Sequence, residues 1–189
     1  ELLDAMGVDL VLEKIKITGP VGIKPREFIV EVASNIVRLN GVNIRNIEIE
    51  KIFQEVDINT SKDMNQLLKL LPGVLSLLNN LKMMEVSMVL VSNDITSRAR
   101  LAMESLKIDH FFKEIIGGDE VQNTKPSPDL AFLVAKKTGN SLDSMMVIGD
   151  NPVDIEMGIS ANINLNIAVL TGLSDIKSFS NLNCMIINN

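Results

Sequence analysis

The sequence predicts an α/β fold, a parallel sheet flanked by helices with a small helical cap inserted after the first strand. Three observations lead there. From about residue 72 onward, short apolar runs of strand length alternate with helix-period stretches, the pattern of parallel strands joined by crossover helices. Residues from about 12 to 71 carry helical periodicity with no convincing strand between the helical stretches. Polar residues follow several of the apolar runs directly, at the edge where open parallel sheets bind ligands.

In chain order, the first strand is expected over residues 1–4, ending at Asp4. Buried central strands usually run to about five or six residues, so this one is expected to begin before Glu1. The insertion follows, with helices near 25–39 and 47–55. The core then resumes. Residues 72–82 set Val74, Leu75, Leu77, Leu78 and Leu81 on one helical face, and 95–107 and 128–139 read as further amphipathic helices. Ser127 as N-cap, Pro128 in the first helical position and Gly139 just past the end mark the last of these. Strands are expected at 86–91, 114–117, 145–148, 166–170 and 184–187. Residues 1–11 and 72–189 therefore form the core and 12–71 the cap.

Composition narrows the function classes. The chain has 189 residues, enough for one domain with a substantial core. Its net charge is −6 with no cluster of Lys and Arg, so it lacks the basic face that nucleic acid demands. No apolar run reaches the roughly 18 to 20 residues that span a bilayer. A small-molecule partner is expected. Cys184 is the single cysteine, which excludes a disulfide framework or a cysteine zinc site. The opening residues lack a basic secretory n-region, and a cytoplasmic location is expected. With no Trp or Tyr and six Phe, the chain is poorly equipped to stack nucleobases, so its site should rely on charge and backbone amides.

The chemistry-bearing residues lie at the strand ends: Asp4 after the first run, Ser92-Asn93-Asp94 after the second, Lys125 before the 128–139 helix, and Gly149-Asp150-Asn151-Pro152-Val153-Asp154 after the fourth. Asp150 and Asp154 stand four apart at a helix opening and share a face, so both can address one hard cation such as Mg²⁺. The plainer alternative is an N-cap and a solvated acid. Lys125 offers an ammonium to a phosphate or to an ionised carboxylate, where a lone lysine is otherwise a surface charge. Ser92 can donate to a phosphate oxygen or simply end a strand in a turn. Asp94 reads as a cap for the helix that follows.

Together these residues resemble the haloacid dehalogenase superfamily. The match is carried by residues 71–74, 111–119, Thr124-Lys125-Pro126-Ser127-Pro128-Asp129 and 147–154, and it points to the phosphoglycolate-phosphatase and β-phosphoglucomutase-like branch. The resemblance implies a Rossmann-like core and an Mg²⁺-dependent hydrolase of a small phosphorylated metabolite. By it, Asp4 is the nucleophile that forms an aspartyl-phosphate. Mg²⁺ is held by Asp4, the Met6 carbonyl, Asp150 and Asp154; Ser92, Asn93 and Lys125 bind the phosphoryl oxygens. Residues 12–71 take the place of the family's substrate-selecting cap.

One departure bears on activity. Where the family's phosphatases read DxDGT, this chain has Asp4-Ala5-Met6-Gly7-Val8, so methionine stands at the general acid/base position. Acid/base catalysis typically contributes roughly 10²- to 10⁴-fold. The alternatives are a weak or inactive relative that binds Mg²⁺ and phosphate, or a dehalogenase- or phosphonatase-type enzyme whose leaving group needs no proton. For the phosphonatase type a Schiff-base lysine would come from Lys14, Lys16 or Lys24, none singled out by spacing. His110 reads as a surface or partly packed residue, Cys184 as a small buried hydrophobe, and Gly19-Pro20-Val21-Gly22 as a turn or a hinge.

Overall fold

A computed structural model describes residues 1–12, 14–16, 19–21 and 23–188, apart from the side chain of Asn65. In chain order its elements are α1 (Leu2–Ala5), β1 (Val8–Asp9), β2 (Lys14–Ile15), α2 (Arg26–Leu39), α3 (Asn46–Ser61), α4 (Met64–Leu67), α5 (Val74–Met83), β3 (Met88–Val91), α6 (Thr96–Ser105), β4 (Phe112–Ile116), α7 (Asp129–Thr138), β5 (Met146–Gly149), α8 (Pro152–Ser160), β6 (Leu165–Val169) and β7 (Met185–Ile187). The class is α/β, with parallel strands and crossover helices.

Residues 2–5 are helical, which corrects the expected first strand. Leu2, Leu3, Ala5 and Met6 are strong helix formers and none is β-branched, so local preference runs against a strand. The helix packs on α2, and Asn40 Nδ2 donates to Glu1 Oε2 at 3.1 Å. A two-residue antiparallel pairing, Val8–Ile15 and Asp9–Lys14, joins the end of the expected first core segment to residues 14–15, where no strand was expected.

The remaining strands fall within two residues of expectation, but they form two separate sheets. β3 pairs parallel to β4; β5, β6 and β7 form a second parallel sheet in that order. One apolar cluster nevertheless spans both, joining Ile116 of β4, Leu130 and Ala131 of α7, Val147 of β5 and Met157 of α8. A second holds Ile155, Ala168 and Phe179, all almost fully buried. Each large side chain so buried contributes about 1.5–3 kcal/mol relative to exposure.

Helices α2 and α3 share a core of their own. Val30, Ala33 and Ile49 are buried there, the first two at the i, i+3 spacing of one helix face. Asp57 of α3 pairs with Arg26 of α2 and with Arg98 of α6, and Arg98 Nε also bonds Asp94 Oδ2 at 2.9 Å. This chain of charges ties the helical pair to the sheet. Burial opposes the charge of Arg98, but Asp94 and then Asp57 outweigh it and hold the guanidinium above its ordinary pKa.

At the end of α7, Gly139 adopts φ 75° and donates its N–H to the Ala135 carbonyl, the left-handed stop expected there. The start lies one residue later than expected: Pro128 is the N-cap, and Ser127 Oγ donates to Asp129 Oδ1 at 2.6 Å instead of capping.

Gly158 of α8 leaves no room for a side chain, since a Cβ there would overlap the Asn166 amide and stand 2.9 Å from Val147 Cγ2. We expect Gly158→Ala to destabilise the fold by about 1–3 kcal/mol through overpacking, read from urea unfolding. Asp57→Asn should cost about 1–2 kcal/mol, because two charge-assisted contacts are lost while both guanidiniums stay partly solvated. In hydrogen exchange the loss should fall on α2, α3 and α6, the three helices that Asp57 joins.

Candidate functional site

A cleft of about 590 Å³ opens at the carboxyl ends of β3 and β5, floored by Ser92, Lys125, Asp150 and Asp154 and roofed by residues of α2 and α3. Its centre is an ion pair. Lys125 Nζ lies 2.6 Å from Asp154 Oδ1 and donates to the Val91 carbonyl at 3.2 Å. Both side chains are nearly enclosed, at 12% and 13% exposure, so each charge depends on the other and on fixed dipoles around it.

The local sequence places these groups. Asn151 caps α8 with Pro152 at its first position; the Asn151 side chain accepts from Val153 N, and Asp154 Oδ2 accepts from Asn151 N at 3.1 Å. Asp154 is thereby turned back under the end of β5. Gly149 permits this, since any side chain there would collide with the Asp154 carboxylate. On the other side, Lys125 N donates to Asn93 Oδ1 at 2.9 Å, and Asn93 Nδ2 donates to the Lys125 carbonyl at 3.1 Å and to the Ile23 carbonyl at 2.6 Å.

Asn93, expected to meet phosphate, is therefore spent on positioning Lys125: it is 7% exposed and its amide is engaged on both atoms. Ser92 Oγ accepts from Asp94 N at 3.1 Å, which leaves its hydroxyl proton free to give. Asp94 Oδ1 accepts from Ile95 N, one residue short of α6, and its other oxygen meets Arg98. Asp150 is exposed at the cleft and its carboxylate lies over Gly172, in the space a side chain there would fill.

Asp4 is not brought to this group. It stands on α1 with a side chain 73% exposed, paired with Lys16, whose ammonium holds the Asp4 carboxyl below its usual pKa. Met6 does line the cleft, but its carbonyl accepts from Val21 N at 3.3 Å. Among the described residues no three His, Cys, Asp or Glu side chains gather closely enough to hold a metal. The acids that the structure does place at the cleft floor, Asp150 and Asp154, still suit Mg²⁺, which commonly takes one or two carboxylates and fills its shell with water and substrate oxygens.

Sequence reasoning missed the cationic roof. Arg26 and Arg98 line the cleft, as do Lys16 and Lys24, two of the lysines nominated above; Lys14 is exposed on β2. No local signal links Asp57 to Arg98, 41 residues away. Val21 faces the cleft, while Gly22 of the same turn lies outside the described residues. His110 sits in a short turn beside Phe111, and Cys184 packs on the Phe179 cluster, where burial raises its thiol pKa. No helix is long and apolar enough to cross a membrane among the described residues.

Comparison with known proteins is consistent with this geometry. Over 92 residues the chain is 38% identical to phosphoglycolate phosphatase of Salmonella paratyphi A, a match covering 49% of this chain and 36% of that enzyme's length. Among solved structures, a predicted phosphoglycolate phosphatase from Haemophilus somnus 129pt superposes with a TM-score of 0.74 at 17% identity, covering 98% of this chain and 82% of the other. A β-phosphoglucomutase from Clostridium difficile superposes at 0.69 with 19% identity, covering 89% and 72%. The family profile described as haloacid dehalogenase-like hydrolase matches residues 6–168. That match spans most of the sequence, and the chain belongs to the haloacid dehalogenase-like hydrolase family.

Proposed function

We propose that the cleft binds Mg²⁺ and a phosphoryl group, and that the chain serves the hydrolysis of a small phosphorylated metabolite in the cytoplasm. The observation that carries this reading is the buried Lys125–Asp154 pair sharing one cleft with Ser92 and Asp150 at the carboxyl ends of β3 and β5. Lys125 and the Ser92 hydroxyl supply donors to phosphoryl oxygens, and a fixed ammonium in an enclosed site stabilises charge without reorganising. Asp150, with Asp154 beside it, would hold Mg²⁺, which when bound offsets the repulsion between a phosphoryl group and an anionic nucleophile. Helices α2 and α3 act as the cap, and Arg26 of α2 with Lys24 just before it lines the cleft toward whatever the phosphoryl group is attached to. The phosphatase relatives support the reaction class.

A second reading is favoured by the position of Asp4 and by Met6 in the cleft: residues 1–189 bind Mg²⁺ and phosphate but turn over slowly. The two readings separate in simple assays. Titration calorimetry with inorganic phosphate and Mg²⁺ should show binding to the wild type, weakened roughly ten- to a hundredfold in Lys125→Met as a charge-assisted contact is lost. Asp150→Asn should remove the Mg²⁺ dependence of that binding while circular dichroism stays unchanged. Absence of phosphate binding in wild type would sink both readings. Hydrolysis of p-nitrophenyl phosphate above background supports the first; binding without turnover supports the second. With Asp4 exposed and paired to Lys16, Asp4→Asn should leave any turnover within about twofold. A loss of a hundredfold or more would restore Asp4 as the nucleophile.

A further inference from the structure

The roof of the cleft differs in composition from its floor. Apart from its charged residues, what lines the cleft between β2 and the end of α3 is apolar: Ile15, Val21, Ile23, Ile29, Phe53 and Val56. The uncharged polar residues of the cleft, Ser92, Asn93 and Asn151, all follow β3 or β5. Among the described residues the roof therefore holds no hydroxyl or amide side chain to meet a sugar hydroxyl, and a hydroxyl taken out of water without a partner is penalised. Ile15 and Val56 are 42% and 49% exposed, apolar surface that a bound ligand would remove from water.

The cations of the same wall already have partners. Asp57 pairs with both Arg26 and Arg98, and Asp94 meets Arg98 Nε at 2.9 Å. Arg26 Nε also stands 3.5 Å from Glu50, and its guanidinium lies 4.7 Å from the centre of the Phe53 ring. Two guanidiniums thus face two carboxylates in the cleft wall, and their fields largely cancel. Lys16 is engaged with Asp4. Lys24 is exposed, with its ammonium 5.8 Å from the centre of the Phe28 ring, and Phe28 lines a neighbouring cavity instead of the cleft. A second anion entering here would meet Asp57 together with either arginine. It would have to break a pair whose members, Arg26 and Asp57, are only 15% and 18% exposed.

We propose that the cleft selects a phosphate monoester of a small, uncharged, apolar alcohol, with the phosphoryl group at Lys125 and Ser92 and the alkyl group against Ile23, Ile29, Phe53 and Val56. The inference rests on the cleft binding a phosphoryl group, and adds which ester it takes. At about 590 Å³ the cleft is in the size range of small-molecule sites, which pair a mostly apolar lining with a few placed polar groups. Sugar phosphates are disfavoured by the lack of partners for their hydroxyls. Esters carrying a carboxylate are disfavoured by Asp57, which acts through the two arginines it neutralises and so has a positioning role.

The test is titration calorimetry in the presence of Mg²⁺ with inorganic phosphate, methyl phosphate, butyl phosphate, the butyl ester whose chain ends in a carboxylate, and glycerol phosphate. Butyl phosphate should bind roughly tenfold tighter than methyl phosphate, and the carboxylate ester and glycerol phosphate no tighter than methyl phosphate. Asp57→Asn should raise the affinity for the carboxylate ester roughly tenfold relative to butyl phosphate, as the arginines gain a net positive charge. Val56→Ser, at a half-exposed position where the fold tolerates the change, should cut the advantage of butyl over methyl phosphate by about threefold. If inorganic phosphate binds but butyl phosphate gains nothing over methyl phosphate, or the carboxylate ester or glycerol phosphate binds as tightly as butyl phosphate, this proposal is overturned and the phosphoryl site stands. An Asp57→Asn chain that keeps its fold by circular dichroism and leaves the order of the esters unchanged also overturns it. If inorganic phosphate does not bind, the phosphoryl site itself is refuted, and the ester preference with it.

Discussion

The arrangement of the cleft rests on the buried pair of Lys125 and Asp154. Two charges taken out of water are stable only when each is matched closely and its remaining hydrogen-bonding capacity is met. Here the Val91 carbonyl takes a second Lys125 proton, and the Asn151 amide serves the second Asp154 oxygen. The pair thus joins the end of β3, the segment before α7 and the first turn of α8 in one knot. Elements from both sheets are fixed relative to one another although their strands exchange no hydrogen bonds.

Much of the surrounding sequence supports that knot. Asn93 holds the backbone of Lys125 on both sides and reaches Ile23, so the lysine is aimed before any ligand arrives and the helical roof is tied to the floor. Gly149 and Gly172 matter for what they lack, since a methyl group at either would displace an acid of the site. Preorganisation of this kind lets a single ammonium act strongly on an anion, because little has to move when charge arrives.

The roof follows a different logic. Asp57 gathers Arg26 and Arg98, and Arg98 also meets Asp94, so cations that face the cleft are partly neutralised by acids of the same wall. At the chain's start, Lys16 is likewise engaged with Asp4. A cleft that is cationic in composition is therefore restrained in charge, with Lys125 at its floor the most enclosed and the best positioned of its ammonium groups.

The sequence by itself determined the element types from residue 72 onward, helices near α2 and α3, the position of Ser92, Asp150 and Asp154 just past apolar runs, and the family. These are written locally: apolar periodicity, a capping asparagine before Pro152, and polar residues just past apolar runs act over a few residues. Residues 1–5 were legible too, had helix propensity been weighed above the topology that a first strand would complete. Only the tertiary structure decided that the Asn93 side chain holds the Lys125 backbone, that Asp57 and Arg98 meet across 41 residues, that Asp4 stays outside the cleft, and that the parallel strands divide into two sheets. Those outcomes depend on which surfaces pack together, and a contact between distant segments leaves no periodic trace in the order of residues.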